Sequence, residues 1–281
     1  MSEPVRETRA STDLPDPVWR VLLVLTTVRA HNLLFSVPYL VVWTHGLDPI
    51  GRTGLVIGHA CAVLAFGAFS DAIDAGRGLA PRIALVRDPR WNAIPLSRIA
   101  GPVMALVAVL AGLLAGRIHP LAPVGVLALV GAAWAAARVP AAWKYLIGPE
   151  LGLPVLLLAA PAGALAWLTD ASIPWLSLVS GAGCLAALVL ASHLRDRERD
   201  MADDVPTLAT RRPRTARGWM WVAGLTGAIA SMALLEHPLA PVDRLALLGG
   251  LGVLSGLLAG RYRVPVLVVA HALLAVAWML G

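Results

Sequence analysis

The chain has 281 residues, of which 58% are apolar and only 14% charged, with a formal net charge of +6. An average globular domain has about 45–50% apolar and about 25% charged residues. This chain is therefore too poor in charge to clothe a soluble globule, and a lipid bilayer is its expected solvent.

Intrinsic disorder is excluded by the same figures. A disulfide scaffold is excluded because the only cysteines, Cys61 and Cys184, both lie inside apolar runs. All but one of the basic residues, Lys144, are arginine, and their placement follows a membrane topology, so no nucleic-acid partner is expected.

Residues 1–17 are polar and contain no apolar core of the kind a secretory signal carries, which predicts a solvated tail. From residue 18 to the end the chain reads as a single transmembrane domain, in which apolar runs of roughly 18–22 residues recur, enough to cross the hydrocarbon core as helices. Spans are expected near 18–44, 52–72, 99–116, 120–138, 150–169, 173–192, 218–235, 242–260 and 264–280. The fold class is thus an all-α integral membrane protein with nine transmembrane helices. The first span carries Arg29, His31 and Asn32, so part of it is expected to sit against protein. Ten tryptophans supply most of any interfacial aromatic belt.

Nine spans place the two ends of the domain on opposite sides. Nineteen of the 23 basic residues then fall on the side of the N-terminal tail, and only Arg52, Arg117 and Arg244 on the other. By the positive-inside rule, the tail and both long polar loops are expected to be cytoplasmic.

Those two loops hold the chemistry. One follows span two, SDAIDAGRGLAPRIALVRDPRWNAIPLSR from Ser70 to Arg98; the other follows span six, HLRDRERDMADDVPTLATRRPRTAR from His193 to Arg217. Together they contain 8 of the 17 carboxylates and twelve arginines, which suggests a pseudo-repeat with one acidic cluster per half. Asp71 and Asp74 are spaced i,i+3, and Asp196 and Asp200 i,i+4, so each pair lies on one helical face if the preceding helix runs on. Two facing pairs of carboxylates do not stay ionised without cations between them. Oxygen ligands with arginines close by suit Mg²⁺ bridging a diphosphate. Either cluster alone also reads as an ordinary solvated loop; finding both on one membrane face favours a site.

With these clusters the sequence resembles the UbiA superfamily of intramembrane prenyltransferases, whose members have nine transmembrane helices around a central cavity and Asp-rich motifs after the second and sixth. The first family motif, N-D-x-x-D-x-x-x-D, is matched by Asp71 and Asp74, with Ser70 and Gly78 in its outer places. A downstream N-R-P-x-x-x-G-R-I pattern is partly matched by Asn92, Pro95, Arg98 and Ile99. The second motif, N-x-R-D-x-x-x-D followed by T-L-A in the branch that prenylates dihydroxynaphthoate, is matched by Arg195, Asp196, Asp200, Thr207, Leu208 and Ala209, with His193 in the Asn place. The family's Tyr-Ser element is Arg138 and Val139 here, ahead of Lys144.

The resemblance implies an integral protein of a bacterial plasma membrane in which Mg²⁺, held by Asp71, Asp74, Asp196 and Asp200, binds a prenyl diphosphate donor. Arg77, Asn92, Arg98, Lys144 and Arg195 would hold the diphosphate. Asn32, Ser70 and His193 would contact substrate, and a small-molecule acceptor of unassigned identity, aromatic or a quinone precursor, would capture the prenyl cation. Trp91, Trp143 and Tyr145 are candidates for cation–π contacts. A terpene cyclase of the same superfamily is the nearest rival, and a non-catalytic scaffold or transporter the rival of another class. His59 and His271, lone histidines in apolar spans, are expected to make interhelical hydrogen bonds rather than to bind metal.

Overall fold

The structure is a computed structural model that describes residues 30–76, 93–138, 152, 155–169, 173, 175–202, 207–233 and 241–280. Residues 1–29, including the expected tail, lie outside them. The described residues contain helices and no strand.

Seven long or medium helices follow the expected spans. They are α2 (Pro49–Gly76), α3 (Ala93–Ala115), α4 (Ala122–Arg138), α6 (Trp175–Arg195), α9 (Pro213–Met232), α10 (Pro241–Leu258) and α11 (Arg263–Leu280). The first and fifth spans differ from a plain helix. In the first, a 3₁₀ turn over Ala30–Phe35 gives way to the short α1 (Val37–Trp43). Ser36, between them, has φ −133°, outside helical values, and Pro38 has no N–H to carry a hydrogen-bond ladder back across it. In the fifth, a π turn over Val155–Ala159 leads into α5 (Ala160–Thr169). The short helices α7 (Arg197–Ala202) and α8 (Leu208–Arg211) occupy part of the second polar loop.

Three stretches are long and apolar enough by themselves to cross a membrane: Pro49–Ser70, Arg98–Ala115 and Trp175–Arg195. Five shorter apolar helical stretches accompany them, among them Arg244–Leu258 and Arg263–Ala277. The outer surface agrees with a lipid setting. On α3, Ile99, Val103, Leu106, Leu110 and Leu113 recur every three or four residues and are all exposed, which puts an apolar stripe where a soluble helix would carry polar groups.

Glycines decide how the helices meet. In α2 a Cβ on Gly54 would lie 2.6 Å from the Ala111 carbonyl oxygen of α3, and one on Gly101 would lie 2.7 Å from the Phe69 ring. Residue numbers fall along one helix as they rise along the other, so α2 and α3 form an antiparallel hairpin around the first acidic loop. The second acidic loop is bracketed in the same way by α6 and α9. Gly183 faces Gly227 there, and Ser180 and Ser231 share a 2.6 Å hydrogen bond. Small residues that let backbones approach are the main adhesive between helices in lipid, where no hydrophobic force acts between them.

Two cores result. A small one joins Ala62, Ala108 and Val126 of α2, α3 and α4. The larger joins α1, α2, α5, α6, α8, α9, α10 and α11 around Tyr39, Leu158, Leu185, Met220, Leu257 and Leu274, with Val63 as the contribution of α2.

Candidate functional site

The helix α1 sets the two acidic helices in register. Its Trp43 indole N–H donates to Ser177 Oγ near the start of α6, at 3.1 Å. The Val41 carbonyl accepts from Arg52 Nη2 near the start of α2, at 3.4 Å. Both helices therefore begin at one end of the bundle and run away from it toward their acidic termini.

At the end of α2 the helix runs on through Gly76, so the i,i+3 positions of Asp71 and Asp74 share one helical face. The side chains of both aspartates lie outside the described residues, as do Arg77, Gly78, Trp91, Asn92, Trp143, Lys144 and Tyr145. Ser70, in the first place of the motif, is buried with 5% of its surface exposed. The Gly101–Phe69 contact sets the start of α3 beside the end of α2. Arg98, exposed and three residues before Gly101, is thus brought to the same end as Asp71, two residues after Phe69.

At the end of α6 the chain bends at Asp196, yet the helical ladder continues: Asp196 N–H donates to Ser192 and Asp200 N–H to Asp196, both at 2.9 Å. Asp196 and Asp200 are therefore one turn apart. Arg195 donates two hydrogen bonds to the Asp196 carboxylate, from Nε at 2.8 Å and from Nη2 at 2.9 Å. Both partners are substantially exposed, so the pair contributes little to stability. Asp200 is only 4% exposed. A nearly buried carboxylate one turn from an accessible one supplies oxygen donors only, the set a hard divalent cation takes. His193 is half-buried. Among the described residues no three His, Cys, Asp or Glu side chains converge as a complete metal site.

Two features here are not legible in the motif. Thr207 and Thr210 form a capping box on α8: Thr210 N–H donates to Thr207 Oγ1 at 3.1 Å, and Thr207 N–H donates to Thr210 Oγ1 at 2.9 Å. With Ala209 fully buried, the T-L-A stretch anchors the second loop on α6 and α9. The other feature is Arg197, half-buried, whose Nε has no hydrogen-bond partner among the described residues. Its only sequence signal is its place two residues after Arg195.

Elsewhere in the bundle, Asn32 sits in the 3₁₀ turn and is 8% exposed. Among the described residues the expected interhelical hydrogen bonds are absent from His271, neither of whose ring nitrogens is paired, and from His59 Nε2. The neighbours of His271 are rings, Phe35 edge-on at 4.9 Å and Tyr39 at 5.7 Å, so packing rather than hydrogen bonding holds it.

The architecture has solved counterparts. A digeranylgeranylglyceryl phosphate synthase superposes with a TM-score of 0.61 at 11% identity, covering 93% of this chain and 98% of that one. A UbiA homolog from Aeropyrum pernix K1 superposes with a TM-score of 0.58 at 17% identity, covering 87% and 94%. No family model and no curated protein matches the sequence. The chain has the fold of these membrane proteins over nearly its whole length. That fold is the UbiA fold, the one the two acidic motifs lead one to expect.

Proposed function

We propose that this protein is a Mg²⁺-dependent intramembrane prenyltransferase of the UbiA superfamily, with nine membrane crossings and with its basic, acidic end in the cytoplasm of a bacterial cell. One observation carries the reading: in a bundle with the fold of a digeranylgeranylglyceryl phosphate synthase, two helices that begin at one end of the bundle each run on into an acidic pair.

The described part of the donor set suits magnesium, because it offers carboxylate oxygens and no sulfur. Asp71, Asp74, Asp196 and Asp200 would hold the ion, which when bound neutralises the diphosphate of a prenyl donor. Arg98 and Arg195, joined by Arg77, Asn92, Lys144 and the unpaired Nε of Arg197, donate to the diphosphate oxygens as the allylic C–O bond breaks and negative charge grows on the leaving group. For Arg195 this means exchanging Asp196 for the substrate, a small cost because that pair is exposed. The apolar helices exclude water from the allylic cation until an acceptor carbon or oxygen attacks it and loses a proton. Asn32, Ser70 and His193 are assigned to substrate contact.

The test is diphosphate release by purified protein in detergent with Mg²⁺ and radiolabelled geranyl, farnesyl and geranylgeranyl diphosphates, with and without a lipid or aromatic extract. Release that depends on the extract, and falls about 100-fold or more in Asp71→Asn and Asp196→Asn, is expected, since losing one stabiliser of transition-state charge costs about that much. Extract-independent release with a new hydrocarbon would make the protein a cyclase. No turnover with any donor would leave a scaffold.

A further inference from the structure

Four arginines, Arg211, Arg212, Arg214 and Arg217, crowd the junction of α8 and α9, and all four are exposed. No Asp or Glu occurs between Asp204 and Glu236, so this stretch carries no acid of its own. Among the described residues no carboxylate pairs with Arg212, Arg214 or Arg217, whereas Arg195 at the end of α6 is held by Asp196. Their guanidinium donors are therefore open to an anion from outside the protein, and their planar fork suits a phosphate.

Beyond the arginines α9 turns apolar on its outer side. Buried Ala216, Met220, Gly224, Gly227 and Ser231 face the bundle. On the far side Arg214, Gly218, Val222, Leu225 and Ile229 follow one another at intervals of three or four residues, which sets them in one column. Val222, Leu225 and Ile229 are all exposed, so the column lies against lipid. Gly218 is exposed too, and a Cβ there would meet nothing within 4 Å, which leaves an open notch between Arg214 and the apolar residues. Arg217 and Trp219, both exposed, stand on either side of the column. From Gly218 to Ile229 the column rises about 16 Å, close to half the thickness of the hydrocarbon core, about 15 Å.

We infer that the outer face of α9 is a binding site for an anionic phospholipid of the surrounding leaflet, with its phosphate on Arg212, Arg214 and Arg217 and an acyl chain along Val222, Leu225 and Ile229. Head and tail are both needed. A soluble anion gains nothing from the apolar column, and a zwitterionic lipid brings its own cation against the arginines. The glycerol linkage fills the notch at Gly218, and Trp219 sits at headgroup level, where amphipathic rings settle. The site goes beyond the proposed reaction and does not depend on it. None of its residues is assigned to that reaction, and it requires only a bilayer around the helices.

The experiment places the full-length protein in phosphatidylcholine vesicles containing phosphatidylglycerol with a mid-chain diazirine. Irradiation is followed by mass-spectrometric mapping of the labelled peptides, and the matched phosphatidylcholine probe at the same mole fraction serves as comparison. Phosphatidylglycerol is expected to label residues 222–229 about tenfold or more above phosphatidylcholine, and Arg214→Gln to cut that preference about fivefold, the loss of one basic residue near a charged surface. Arg138→Gln removes an exposed arginine on α4, outside the site, and should leave the preference unchanged. Raising the salt should weaken the preference of the parent protein, because exposed charges are screened, and this measurement needs no variant. Millimolar glycerol phosphate, which has the anion without the chains, should not displace the lipid. Equal labelling by the two lipids, a preference untouched by salt or by Arg214→Gln, one lowered as much by Arg138→Gln, or displacement by glycerol phosphate would overturn the inference.

Discussion

Replacing Gly183 with alanine tests whether the α6–α9 crossing is held by backbone contact. A Cβ at position 183 would lie 2.7 Å from the Ala223 carbonyl oxygen, 2.8 Å from Gly227 N and 2.9 Å from Gly227 Cα. All three are backbone atoms, so no side chain can swing aside and the helices must separate. The Ser180–Ser231 hydrogen bond, one turn away at 2.6 Å, lengthens with them. Overpacking of this kind costs about 1–3 kcal/mol, set against at most about 1 kcal/mol gained from replacing a helical glycine. With roughly 2–4 °C per kcal/mol for a chain above 150 residues, Gly183→Ala should lower the melting temperature in detergent by several degrees. Cys184, fully buried at this crossing, reports the opening directly through a thiol-reactive dye. Gly218→Ala on the same pair, where a Cβ meets nothing within 4 Å, is the control and should leave the temperature unchanged or raised. Equal melting of Gly183→Ala and the parent protein, together with unchanged dye reactivity at Cys184, would refute the close crossing.

Two further substitutions probe the buried polar groups. Ser231 donates its one proton to the Gly227 carbonyl at 2.7 Å, so Ser180 is the donor in the serine pair; a double-mutant cycle with alanine, read by thermal melting, should give a coupling of about 0.6 kcal/mol and no more than about 2. Tyr39 is fully buried and its hydroxyl has no partner among the described residues. Tyr39→Phe should therefore keep or raise the melting temperature, whereas a loss beyond about 1 kcal/mol would show that the hydroxyl is satisfied by a group not yet identified.

Length and apolarity were enough to place helices at every expected span from the second onward, because a run that must satisfy its backbone inside lipid has little choice but to be helical. In the first span, hydropathy does not register that Ser36 leaves helical geometry or that Pro38 has no N–H. The spacing of Asp71 and Asp74, and of Asp196 and Asp200, was legible as helix faces because α2 and the α6–α7 ladder run through them. Which helix ends meet was not legible from spacing. That depends on Trp43 reaching Ser177 across 134 positions, and on Gly183 and Gly227, which nothing in a glycine-rich sequence distinguishes from the other 24. The hydrogen bonds expected of His59 and His271 rested on general grounds, and among the described residues no partner reaches His59 Nε2 or either ring nitrogen of His271.

The central claim is that both acidic helix ends hold one magnesium-diphosphate. Binding of farnesyl thiodiphosphate, a donor analogue that ionises slowly, measures this directly by calorimetry on the purified protein with Mg²⁺, after chelation, and in the Asp71→Asn and Asp200→Asn variants. Chelation and either substitution are expected to weaken binding by about 10-fold or more, since loss of even an outer partner of a metal ligand costs about 10–100-fold. Binding of undiminished strength without magnesium, or with only one of the two helices needed, would contradict it.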